Sequence, residues 1–150
     1  MKVTNAGLSD ISRLEEIARD CYKKMEFKGE YDSEFFKLSL QKQMENDNYI
    51  ILKCTENNLI IGGLFALIMP EVYSPNTSVI YQYAMQADLK LNKVKQGRVI
   101  LKLIGELEKI AVDIDVNEIC FNIDCKFDLS QHFSRHGYKL TEKKLTRRLK

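Results

Sequence analysis

Three groups of residues in this chain carry recognisable chemistry. The first is Gln96-Gly97-Arg98, with Lys93 and Lys95 just before it, where a strand-like run gives way to a long helical pattern. A strand that feeds a helix through a glycine-containing turn suits a phosphate-bearing ligand. The first N–H groups of the helix lack intrahelical partners, and its dipole favours an anion. The second group is titratable. Asp88 can accept a proton at neutral pH, whereas Gln82 and Gln86 on the same run cannot. His132 and His136 flank Phe133, and an imidazole can donate a proton in this pH range; Tyr81, Tyr83 and Tyr138 offer hydroxyls. The third group, Tyr22, Phe27, Glu30, Tyr31, Glu71 and Tyr73, mixes acid with aromatic rings, which suits a cationic or amine ligand. Each group also has a plainer reading: an ordinary turn, a solvated aspartate, histidines without a role, and aromatic packing.

Metal chemistry is not expected. Cys21, Cys54, Cys120 and Cys125 form no C-x-x-C pair, and two histidines leave few possible ligands. Cysteines scattered through apolar stretches read as reduced thiols of a cytoplasmic protein.

These residues need a scaffold, and the chain supplies one. Its 150 residues, 45% hydrophobic and 29% charged, predict a single domain spanning 1–150 with a packed core. Lys and Arg total 23 against 21 acidic residues, so there is no cationic excess of the kind that holds a nucleic-acid backbone. The basic end, Lys143, Lys144, Arg147, Arg148 and Lys150, reads as a solvated edge. The longest apolar run, Leu59 to Met69, contains two glycines and falls short of the ~20 residues a membrane helix needs. The first residues lack the apolar stretch of a secretory leader.

Periodicity sets the elements. Lys2–Asn5 predicts a strand. Ile11, Leu14, Ile17, Ala18, Cys21, Tyr22 and Met25 predict a helix, capped by Ser9 or Asp10, or by a Ser12–Glu15 box. Ser33 is expected to cap a second helix with Phe36, Leu40 and Met44 on one face. Tyr49–Cys54 and Leu59–Met69 predict a hairpin turning at Asn57-Asn58, with Gly62-Gly63 marking a bulge or a close backbone approach. Pro70 is expected to end that strand, and Ser74–Asn76 to form a loop. A strand from Val79 to about Leu91 follows. Gly97 is expected to open the longest helix, with Ile100, Leu103, Ile104, Leu107, Ile110 and Ala111 as its stripe. Glu118–Asp124 predicts a strand, Asp128 or Ser130 caps a short helix ending at Gly137, and Tyr138–Leu149 reads as extended.

In this order the chain resembles the GNAT family of N-acetyltransferases. Leu8-Ser9-Asp10-Ile11 with Leu14 looks like the family's first strand-to-helix passage. Glu56-Asn57-Asn58-Leu59-Ile60-Ile61-Gly62-Gly63 looks like its hairpin. Leu89, Leu91, Lys93, Gln96, Gly97 and Ile100 sit at the spacing of its L-x-V-x-P-x-x-R-G-x-G-I-G stretch, and His136-Gly137-Tyr138 looks like its late L-G-F. The resemblance implies an α/β (α+β) fold. Its central sheet is mixed, mainly antiparallel and flanked by helices, in the order β-α-α-β-β-β-α-β-α-β-β. It implies acetyl-CoA as cofactor, with the pantetheine arm on the backbone of Leu89, Lys90 and Leu91 and the diphosphate on Gln96, Gly97, Arg98, Val99 and Ile100. The expected function is acetyl transfer to an amine of a small molecule or protein, with Tyr31, Glu71 and Tyr73 lining the acceptor pocket. Catalysis would fall to Asp88 as base and to His132 or Tyr138 as acid, or to a water chain. The family also often forms homodimers.

The chain departs from the pattern in several places. Lys93 stands for the proline, Gln96 for the arginine, and Val99 and Leu101 for the later glycines; a register with Lys95 as the arginine is the alternative. Phe133 stands where the family often has a proton-donating tyrosine. These departures keep a second expectation open, a catalytically degenerate module that binds CoA or a protein. A sheet without a split between its fourth and fifth strands would point instead to an unrelated α/β binding domain.

Overall fold

The computed structural model describes residues 1–24, 29–71, 74–122, 130–135 and 137–139. β1 (Lys2–Asn5) leads through a short 3-10 turn (Leu8–Asp10) into α1 (Ile11–Tyr22), then α2 (Ser33–Met44). β2 (Tyr49–Glu56), β3 (Leu59–Glu71) and β4 (Ser74–Ala87) follow; then come α3 (Lys93–Asp113), β5 (Glu118–Phe121) and α4 (Ser130–Arg135). The sheet runs β1-β2-β3-β4-β5 in space, antiparallel throughout except for the parallel β4–β5 pair. This is the mixed, mainly antiparallel sheet flanked by helices that the sequence implies; the final extended segment lies outside the described residues from 140 onward.

Each face of the sheet buries one apolar stripe. Val99, Ile100, Leu103, Ile104, Leu107 and Ala111 of α3 pack on Leu52, Cys54, Leu64, Ala66 and Ile80. Ile11, Leu14 and Ile17 of α1 and Leu40 of α2 pack on Ile51, Ile60 and Phe65 of the other face. Phe36 and Met44 join this second cluster, as their spacing predicts.

The local chemistry explains the boundaries. Asn57 and Asn58 take φ of 50° and 62°, the left-handed pair a two-residue hairpin turn requires. α2 is capped one residue earlier than expected: Asp32, not Ser33, accepts the Phe35 N–H at 2.9 Å. Asp10 Oδ2 accepts the Gly7 N–H at 2.7 Å, so it braces the 3-10 turn and does not cap α1. Pro70 does not end β3. The strand continues to Glu71 opposite Ser74, with a register shift just after the proline, where a missing N–H interrupts the ladder. The loop expected at Ser74–Asn76 is therefore the start of β4. The far ends come earlier than expected: β4 stops at Ala87, not Leu91, and β5 at Phe121.

α3 shows the largest difference. It begins at Lys93, four residues before Gly97. Asn92 accepts the Lys95 N–H on its side chain at 2.9 Å, and its carbonyl accepts the Gln96 N–H at 2.9 Å. A good cap followed by Lys93-Val94-Lys95-Gln96, which contains no breaker, winds the expected loop into helix.

Candidate active site at a strand fork

The site is built where two neighbouring strands part. β5 pairs with β4 only from Val79 to Gln82. Two features set this point. β4 carries a bulge at Tyr83, since Phe65 pairs with Ala84 and Ala66 with Gln82, and a bulge bends its strand. Gln82 itself is buried, and its Oε1 accepts the Asn122 N–H at 3.0 Å, one residue past the end of β5. A side-chain amide thus replaces the next rung of the ladder.

Beyond Gln82, no described strand covers the outer edge of β4. The Asp88 N–H donates to Ile61 O at 2.9 Å. Antiparallel strands alternate their direction of bonding, so Met85 and Ala87 turn their N–H and C=O groups toward the fork. The Ala87 carbonyl accepts the Cys21 thiol at 3.7 Å. With the Ala87 carbonyl so engaged, the Met85 N–H and C=O and the Ala87 N–H take the place that the resemblance assigned to the backbone of Leu89, Lys90 and Leu91. Those three residues instead form a tight turn: the Leu91 N–H donates to Asp88 O at 3.1 Å, and the Lys90 N–H to Asp88 Oδ1 at 2.9 Å.

The start of α3 lies at the end of this turn. Its first amides belong to Asn92, Lys93, Val94 and Lys95, and that of Lys95 is already held by the Asn92 side chain. Lys95 pairs with Glu56, and Met1, Glu56, Asn92, Lys95 and Arg98 are among the residues that border a shallow depression here. Gln96, Gly97, Arg98, Val99 and Ile100 all lie within the helix. Gln96 is buried, and its Nε2 donates to Leu91 O at 2.6 Å, locking the turn to the helix. Val99 is fully buried and points into the sheet at Gly62, where an added Cβ would lie 2.4 Å from Val99 Cγ1. The bulk at 99 is therefore absorbed by a glycine in β3.

The predicted proton carriers are engaged. Asp88 is ion-paired with Arg13, whose Nε also donates to Ile60 O at 3.2 Å and whose Nη1 reaches Glu16 Oε2 at 2.6 Å. Asp88 therefore ties α1 to the turn after β4. Burial, and then the Glu16 and Asp88 carboxylates, act on the Arg13 guanidinium with a net upward shift. The Tyr138 hydroxyl donates to Glu108 Oε1 at 2.6 Å. Burial and that carboxylate hold its proton well above the usual tyrosine range. Phe133 is buried against Phe121 and Tyr138, with ring centroids 5.2 Å and 5.0 Å away. His132 falls in α4, but its side chain lies outside the description, as do His136 and Tyr73. Exposed Glu71 accepts the Thr77 hydroxyl at 2.6 Å. Tyr31 stacks between Tyr22 and Phe36, at 5.2 Å and 6.1 Å.

Sequence reasoning named Gln82 only as a side chain that cannot take a proton, and did not name Arg13. Gln82 had a signal: it shares strand parity with buried Ile80 and so faces inward, an odd place for an amide. Arg13, on the polar side of α1, had none.

The same architecture recurs in solved structures. An aminoglycoside acetyltransferase from an uncultured soil metagenomic sample, solved with sisomicin, is 21% identical with a TM-score of 0.69, over 99% of this chain and 94% of that one. A predicted acetyltransferase from Clostridium acetobutylicum, solved with acetyl-CoA, is 16% identical with a TM-score of 0.75, over 99% and 96%. A GNAT family acetyltransferase from Staphylococcus aureus is 19% identical with a TM-score of 0.72, over 99% and 98%.

This chain has the GNAT fold.

No family model and no curated protein matches the sequence. The GNAT fold is thus carried by tertiary likeness at low identity. The expected split between the fourth and fifth strands is the fork at Gln82. Among the described residues, no helix is long and apolar enough to cross a membrane, and no cluster of His, Cys, Asp and Glu could hold a metal ion.

Proposed function

We propose that this GNAT-fold protein is an acetyl-CoA-dependent N-acetyltransferase, moving an acetyl group directly to an amine of a small molecule or a protein. The observation that carries the reading is the fork: β4 leaves its edge at Met85 and Ala87 without a strand partner among the described residues, and the start of α3 lies close by. The two features suit the two halves of the cofactor. An amide-bearing pantetheine arm would take the strand-like hydrogen bonds of the Met85 N–H and C=O and of the Ala87 N–H. The diphosphate would take the first amides of α3 ahead of Lys95, with Lys93 and Arg98 supplying charge. Two solved structures of this fold, one with acetyl-CoA and one with sisomicin, support the same reading.

Bound acetyl-CoA supplies an activated acetyl thioester. This chain's residues would do the rest. The β4 edge fixes the thioester and directs backbone N–H groups at the oxygen where charge develops. Holding both partners in line removes much of the entropic barrier. Asp88 is spoken for by Arg13, so it positions the turn, and the amine's proton leaves through water. A histidine, His132 or His136, would protonate the departing thiolate.

A second reading, a GNAT-fold module that binds CoA or a partner without catalysis, is favoured by the engaged Asp88 and by Phe133 at the usual tyrosine place. One experiment separates them. Thermal unfolding with millimolar acetyl-CoA, followed by thiol release over an amine panel, should give an upward shift and then turnover. A shift without turnover on any amine supports the module. No shift refutes the cofactor site, because a ligand at a hundredfold excess over Kd adds about 2.7 kcal/mol.

A further inference from the structure

Gln82 is an amide where the pattern of β4 asks for an apolar side chain. It shares the inward parity of Ile80, and only 1% of its surface is exposed. Burying an amide is costly unless its hydrogen bonds are made, so glutamine at a core position calls for a role beyond packing. Its place in the sheet supplies one. Among the described residues, Gln82 is the last of β4 with a strand partner on each side, Ala66 of β3 and Phe121 of β5. The bulge follows at once at Tyr83, whose hydroxyl donates to Gln43 Oε1 of α2 at 2.7 Å.

The Asn122 N–H donates to Gln82 Oε1 at 3.0 Å. Asn122 is exposed, so water could satisfy that amide, and the bond is not needed to spare a buried donor. What it adds is direction. A rung of the ladder would aim the N–H at a backbone oxygen within the sheet. A bond to a side chain on the α3 face turns it out of the sheet, and the chain leaving β5 turns with it. On the opposite face the Tyr83 hydroxyl ties the next residue of β4 to α2. The two strands are thus fastened to different faces just where they part.

We infer that Gln82 is a positioning residue: it turns the chain out of β5 and keeps the β4 edge beyond it open for an extended, amide-bearing ligand. For the identity of that ligand, acetyl-CoA, this rests on the acetyltransferase reading; for the fork itself it does not.

The full chain and two variants test it. Gln82→Met keeps the length of the side chain without the acceptor. Gln82→Glu keeps the acceptor and puts an ionisable group in the core. Amide hydrogen exchange, read by NMR without ligand, reports the fork directly. The Asn122 N–H should be slow in the parent and in Gln82→Glu, and about fivefold or more faster in Gln82→Met, the change expected for one net hydrogen bond. Calorimetry then compares acetyl-CoA with adenosine 3′,5′-bisphosphate, which carries the nucleotide but no pantetheine arm. Gln82→Met should bind acetyl-CoA about fivefold or more weakly and the bisphosphate within about twofold of the parent, because only the arm uses the fork. Gln82→Glu should keep acetyl-CoA affinity within about threefold. Thermal stability should run the other way, with Gln82→Met close to the parent and Gln82→Glu below it, since only the latter buries a carboxyl group. A packing role alone would make binding follow stability. Unchanged Asn122 exchange in Gln82→Met, equal losses of both ligands, or an equal acetyl-CoA loss in Gln82→Glu would each overturn the inference. So would a Gln82→Met protein that fails to fold, since the amide would then be structural. A parent that binds neither ligand, with the Asn122 exchange pattern as expected, refutes the transferase reading and leaves the hold of Gln82 on the fork standing.

Discussion

Replacing Gly62 by alanine tests the argument that β3 makes room for Val99. The new methyl would lie 2.4 Å from Val99 Cγ1 and 2.8 Å from the Gln86 carbonyl oxygen, against the ~3.5–4.0 Å of a comfortable carbon contact. Neither neighbour yields easily. Val99 is fully buried and β-branched in a helix, so it has one favoured rotamer. The carbonyl belongs to the paired backbone of β4. Overpacking of this kind costs about 1–3 kcal/mol, while Gly→Ala returns roughly 0.4–1 kcal/mol by restricting the unfolded chain. With two contacts this short the clash should win by about 1–2 kcal/mol, a fall of roughly 2–8 °C in a domain of this size. Val99→Ala alone removes two buried methyl groups and should cost about 2 kcal/mol. The double variant should beat the sum of the singles by at least ~1 kcal/mol, because the new methyl enters the space Val99 vacates. It should not regain the parent's stability, since the Gln86 contact persists. Urea and thermal unfolding of the four proteins give the cycle. A Gly62→Ala protein as stable as its parent, or an additive double variant, would refute the account of how Gly62 accommodates Val99.

Further outcomes are expected. Arg13→Ala leaves the Asp88 carboxylate without its ion-pair partner and frees α1 from the turn after β4; it should lower the urea midpoint and weaken acetyl-CoA binding, and unchanged values for both would remove the positioning role. Asn92→Ala should cost about 1 kcal/mol of stability, the usual value of an N-cap, read by thermal unfolding. At Asp10, burial raises the carboxyl pKa, but the Gly7 N–H and the Lys53 ammonium together lower it further, so the folded value lies below the unfolded one. Its stabilisation is then fully present above about pH 3.9 and fades as pH falls through the folded value; Asp10→Asn should flatten this acid limb in unfolding measured from pH 6 to 2. Burial pushes the Cys21 thiol up to about 11 and raises that of Cys54. Iodoacetamide at pH 8 should therefore label both slowly in the native protein and at the free-thiol rate in denaturant, as peptide mapping would show.

Much of the fold is written in local pattern. The stripes of α1, α2 and α3 follow from the 3.6-residue spacing of Leu14 and Ile17, Phe36 and Leu40, and Leu103 and Leu107. The Asn57-Asn58 turn follows from the tolerance of asparagine for positive φ. Gly62 and Gly63 did mark both a bulge and a close approach, with register shifting between Cys54 and Thr55 and with Val99 and Leu14 pressing on the two glycines. These features depend on neighbours within a few residues, which a single sequence displays.

The site was less legible because it depends on contacts between residues far apart in the chain. Asp88 reads as a free base until Arg13, 75 residues away, is seen holding it. Tyr138 reads as an acid until its hydroxyl is seen donating to Glu108, which holds the proton on the tyrosine. Gly97 reads as the head of a phosphate loop, yet Asn92 starts the helix one turn earlier and the glycine is left inside it. Residue types and their spacing show which positions are apolar, where the chain turns and which side chains can carry protons. Where β4 and β5 part, which amides there lack a partner among the described residues, and which carboxylates are already ion-paired come from the folded sheet. Strand pairing and burial set those outcomes, and both are properties of the assembled sheet.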